Sequence, residues 1–101
     1  MSDHSLLSVF VEQALRDSAT DALMGMPKCS GFSISSIDGF SCDHAKYDLR
    51  EQVAGYRKMV RIDVMHHVDD LQSILAALAE IHSEHPLRYW VTPIIQTGFI
   101  D

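Results

Sequence analysis

Along this chain the apolar residues recur first at every second position and then at every third or fourth. The two periods follow one another in the order strand, helix, strand, strand, helix, strand. Leu6 to Glu12 (LLSVFVE) is apolar on both parities, with Leu6 and Phe10 on one side and Leu7, Val9 and Val11 on the other, as in a strand covered on both faces. From Gln13 the spacing turns helical through Leu15, Ala19, Ala22, Leu23 and Met26, until Gly25, Pro27 and Gly31 end it.

Phe32 to Phe40 (FSISSIDGF) alternates apolar with small polar residues, and Tyr56 to Met65 alternates again, with Val60, Ile62 and Val64 opposite Met59, Arg61, Asp63 and Met65. Asp69 and Asp70 suit the positive end of a second helix, whose face runs Val68, Leu71, Leu75, Leu78 and His82 and which Pro86 closes. Leu87 to Gln96 (LRYWVTPIIQ) is the last strand, and Pro93 suits an edge or a bulge.

The order βαββαβ with right-handed crossovers predicts an α+β, ferredoxin-like fold: a four-stranded antiparallel sheet with both helices on one face. The other face is then bare. Because the first strand is apolar on both sides and Trp90 and Ile94 add to the uncovered side of the last, that face is expected to meet another subunit.

With 101 residues the chain has room for one domain, 1–101. Its net charge of −6, from 14 acidic against 8 basic residues, supplies no basic surface for a phosphate backbone, so nucleic acid is not an expected partner. No apolar run approaches the roughly 20 residues that span a bilayer, and Met1 to His4 lacks the positive start of a signal peptide. A cytoplasmic location without membrane insertion is expected, with Cys29 and Cys42 as free thiols.

Residues 41–55 carry no period, although paired strands are usually joined by about 2–5 residues. A connection of this length points to function. It opens on Cys42, Asp43 and His44, a thiolate, a carboxylate and an imidazole that suit a divalent transition metal such as Zn²⁺ or Cu. Cys42 and His44 supply two ligands where a stable site uses three or four. The remainder is expected from His66 and His67 or from the same segment of a neighbouring copy. His82 and His85 suit a quieter role at the end of the second helix.

Three stretches, EQVAGYRKMVRIDV (51–64), LRYWVTPIIQTGFI (87–100) and SGFSISSIDGF (30–40), resemble an uncharacterised PII-like family whose genes accompany heavy-metal efflux systems, within the wider nitrogen regulatory PII and CutA-like group. The resemblance implies a PII-type homotrimer with its sheets facing a central core, and places the long segment where PII proteins carry the T-loop that contacts membrane targets. It does not extend to the glycine-rich nucleotide loop before the last strand, since IHSEHPLRY (81–89) contains no glycine.

Three functions compete. The first is a non-catalytic regulatory or sensing trimer that binds a transition metal or small ligand and reports to a membrane efflux protein. The second is a ligand-free interaction module docking through Tyr47, Leu49, Glu51 and Arg57, and the third a nucleotide-binding PII-type signal protein. No cofactor is implied with certainty. An enzyme is not expected, because the sequence has neither a phosphate-binding Gly-rich loop nor a nucleophile in a recognisable turn.

Overall fold

The computed structural model describes residues 2–27, 29, 31–40, 56–81, 83 and 85–101. Four strands, β1 (His4–Glu12), β2 (Phe32–Gly39), β3 (Arg57–His67) and β4 (Arg88–Pro93), form one sheet in the order β2-β3-β1-β4. Every pairing is antiparallel. The helices are α1 (Arg16–Met24) and α2 (Leu71–Ala79), each entered through a 3₁₀ turn, Gln13–Leu15 before α1 and Val68–Asp70 before α2.

Register decides which side of the sheet is covered. Leu7 faces Val64, Val9 faces Ile62 and Val11 faces Val60 across the central pair, so six branched side chains point to one side. All six are buried, together with Ala19 and Leu23 of α1 and Ile74 and Leu78 of α2. Both helices therefore lie on one face, as the βαββαβ order requires.

The helices are shorter than their periodicity implies. The spacing predicts a helix from Gln13, but the first turn is 3₁₀ and the α-helix starts at Arg16. At the second helix His67 provides the cap, its Nδ1 accepting the Asp69 N–H at 3.1 Å, with Asp69 and Asp70 in the first turn as expected. The Glu80 N–H bonds back to the Ala77 carbonyl at 3.3 Å and the Ile81 N–H to that of Leu78 at 3.1 Å, so the helix closes at Ala79, seven residues before Pro86. His85 thus lies beyond it, and its N–H points to Ser83 Oγ at 3.4 Å.

β4 lies at one edge of the sheet and ends on Pro93, which fits the missing N–H of that residue. Among the described residues, no helix is long and apolar enough to cross a membrane.

Candidate functional site

The sheet face turned away from the helices carries the alternate residues of each strand. In its middle Ser8 of β1 stands opposite Asp63 of β3 and Trp90 of β4. In the next row Phe10 stands opposite Arg61 and Arg88.

These side chains form a network. The Ser8 hydroxyl donates to Asp63 Oδ1 at 2.6 Å, and Arg61 Nε donates to the same oxygen at 3.0 Å. A second Arg61 nitrogen, Nη2, lies 3.3 Å from Ser8 Oγ. The Arg61 guanidinium carbon is 5.9 Å from the Phe10 ring centre and 6.0 Å from that of Trp90, and the two rings are 4.7 Å apart. The cation is thus held by a carboxylate on one side and by two π faces on the other.

This arrangement has a chemical consequence. An isolated charge on a sheet face resists being covered, because its hydration would be lost. Here the charges are already paired and the hydroxyl between them is fully buried. Trp90, by contrast, is 46% exposed and Met65 37%, so apolar area remains to be covered. The middle of such a face can accept a neighbour without stranding a charge, with Arg88 exposed in the next row outside this pair.

From the alternation alone Arg61 and Asp63 share one side of β3, with Ser8 and Phe10 not singled out as their partners. A signal was present: Ser8 interrupts an otherwise apolar strand, and Arg61 and Asp63 share its parity.

Of the candidate metal ligands, Cys42 and His44 lie outside the described residues, as do Tyr47, Leu49 and Glu51. Arg57 opens β3, and its Nη1 is 3.3 Å from Glu12 Oε1. Phe40 and Tyr56, which flank the long connection, bring their rings to 5.8 Å of one another, so both ends of the connection are held together.

His66 and His67 are at the opposite end of β3. Successive strand residues leave opposite faces, and His66 is buried on the helix side, while His67 stands opposite His4 with ring centres 5.8 Å apart. The His66 Nδ1–H donates to the His67 carbonyl at 2.8 Å, and its Nε2 is buried without a partner among the described residues.

His66 and His67 close the end of β3 away from Arg57, an 11-residue strand about 33 Å long, and nothing among the described residues places Cys42 or His44 relative to them. Among the described residues, no three His, Cys, Asp or Glu side chains gather as a metal site. Cys29 is a free thiol packed against the core.

On the helix side an open groove of about 380 Å³ is lined by Val9, Leu75, Leu78, Ile81, Leu87 and Tyr89. Its walls are mostly apolar, so it offers few groups to orient a polar ligand.

A family model described as a protein of unknown function, DUF3240, matches residues 1–101. A crystal structure of a DUF3240 family protein from Shewanella baltica OS155 superposes with a TM-score of 0.83 at 32% identity, covering 100% of both chains. CPII, a nitrogen regulatory PII-like protein from Thiomonas intermedia K12 solved with ADP, AMP and bicarbonate bound, gives 0.71 at 18% identity over 96% of this chain and 94% of that one. Arabidopsis thaliana PII bound to citrate gives 0.68 at 14% identity over 93% and 77%. No curated protein matches the sequence. The last two likenesses establish the PII-like ferredoxin-type fold.

Proposed function

From a chain that belongs to the DUF3240 family, we propose a non-catalytic, PII-like regulatory protein that assembles with copies of itself through the bare sheet face and reports a bound ligand to a partner through residues 41–55. The observation that carries this reading is the Ser8–Asp63–Arg61 network beneath Phe10 and Trp90. It neutralises the centre of a face that otherwise exposes apolar surface. Three copies arranged around one axis would give each bare face a neighbour and bring three long connections to a common side.

The PII-like neighbours were solved with small anionic ligands, ADP, AMP and bicarbonate in one case and citrate in the other. A small-ligand sensor is consistent with that company. The glycine-free stretch 81–89 argues against a phosphate-cradling loop at the corresponding place, which favours a ligand other than a nucleotide.

The metal form of the proposal uses Cys42 and His44, completed by the same pair from neighbouring copies or by His66 and His67 at the end of β3. The version in which the partner is a heavy-metal efflux protein rests on the resemblance of 30–40, 51–64 and 87–100. Affinity capture with the tagged chain, compared with a chain lacking residues 43–54, tests the role of the connection. A partner recovered only with the intact segment supports it, and equal recovery with both chains contradicts it.

A further inference from the structure

The segment that follows β4, residues 94–101, is anchored at its root and uncovered beyond it. The Ile94 N–H donates to the His4 carbonyl at 3.2 Å, and the Ile94 carbonyl accepts from the Ser2 N–H at 3.3 Å and from the Ser2 hydroxyl. Thr97 Oγ1 lies 3.3 Å from Met65 Sδ, on the bare face of the sheet. Past this point Phe99 is 99% exposed and Ile100 106%, and Ile95 before it is 78% exposed. Large apolar side chains held this far from their own body gain nothing from it, and a Phe alone can bury roughly 150–250 Å².

The same chain carries an unfilled apolar surface of matching chemistry, the helix-side groove lined by Leu75, Leu78, Ala79, Ile81, Leu87 and Tyr89. A chain's own segment is badly placed to fill it. Its root runs along the bare face, whereas Val9 and Tyr89 of the groove belong to the face that carries the helices, so the sheet stands between them. One segment and one groove per copy, on opposite sides of the sheet, is the pattern of a heterologous contact that closes when copies form a ring.

We propose that residues 94–101 act as an arm that crosses to the neighbouring copy and seats Phe99 and Ile100 in its apolar groove. The proposal rests on the assembly described above and adds a second contact to it, continuous with the bare face through Thr97 and Met65. Each groove is then walled by two copies, and a ligand entering it would meet residues of both.

Cysteine cross-linking in the full chain tests this. A chain with Gly98→Cys, which keeps Phe99 and Ile100, is mixed with one carrying Ala79→Cys, exchanged by dilution and reconcentration, and oxidised. The unsubstituted chain reports background from Cys29 and Cys42, and a Gln72→Cys chain, exposed at the far end of α2, serves as the distance control. The arm predicts a disulfide between the two different chains, at least tenfold above both controls, because bonded cysteines require Cα atoms within about 7 Å. Light scattering accompanies the experiment. An oligomer without this cross-link, or with one no stronger than Gln72→Cys gives, overturns the arm and leaves the assembly standing. A monomer at all concentrations overturns both.

Discussion

Ser8 and Asp63 face one another across the two central strands and share a 2.6 Å hydrogen bond on the side of the sheet that the helices leave open. The Ser8 hydroxyl is fully buried, and its acceptor also receives Arg61 at 3.0 Å. Removing Asp63 therefore costs more than removing Ser8, because it strips both donors at once. Asp63→Ala is expected to lose about 2 kcal/mol and Ser8→Ala about 1 kcal/mol, read from urea unfolding midpoints. The reverse order would show that the network contributes no such pairing.

The grip of α1 on the sheet is narrow, since Ala19 and Leu23 are its buried residues. Leu23→Ala is expected to cost about 3 kcal/mol, whereas Met24→Ala, one position along and 75% exposed, should change stability by less than about 0.5 kcal/mol. Thermal or urea unfolding of the two variants checks the contrast.

Both ends of the long connection are fixed, with Gly39 paired to Arg57 and the Phe40 and Tyr56 rings in contact. Replacing residues 41–55 by Asn-Gly should close the hairpin without loss of stability, and the shorter loop should add up to about 2 kcal/mol from reduced closure entropy. Unfolding at lower urea than the intact chain would show that the segment supports the fold.

Much of the architecture was legible because a sheet covered on one face writes its period into the sequence. Val60, Ile62 and Val64 against Arg61, Asp63 and Met65 announced β3 and its two faces. Element ends were less legible, because they depend on local hydrogen bonds. The α2 start is set by His67 accepting from Asp69, and its end by the Glu80 N–H, neither of which shows in hydropathy. The expected metal set was not legible in the same way: spacing along a sequence does not say which end of the eleven-residue β3 a side chain occupies, and two of its four residues, Cys42 and His44, lie outside the described residues.

The metal form of the proposal, with its ligands in the connection, has its own test. In a titration with Zn²⁺ followed by calorimetry, Cys42→Ala or His44→Ala should abolish the heat of binding, whereas His66→Gln should leave it unchanged. Loss of binding in His66→Gln alone would move the site to the other end of β3.

The central claim is that the bare face carrying Ser8, Asp63, Arg61, Phe10 and Trp90 joins copies of the chain. Multi-angle light scattering on the eluting protein measures this directly, alongside Trp90→Glu, which places an uncompensated charge on a half-exposed position. The account predicts three times the 11.3 kDa chain mass for the native sequence and a folded monomer for the variant. A native protein that elutes at 11.3 kDa at micromolar concentration, or a Trp90→Glu variant with unchanged assembly, would contradict it.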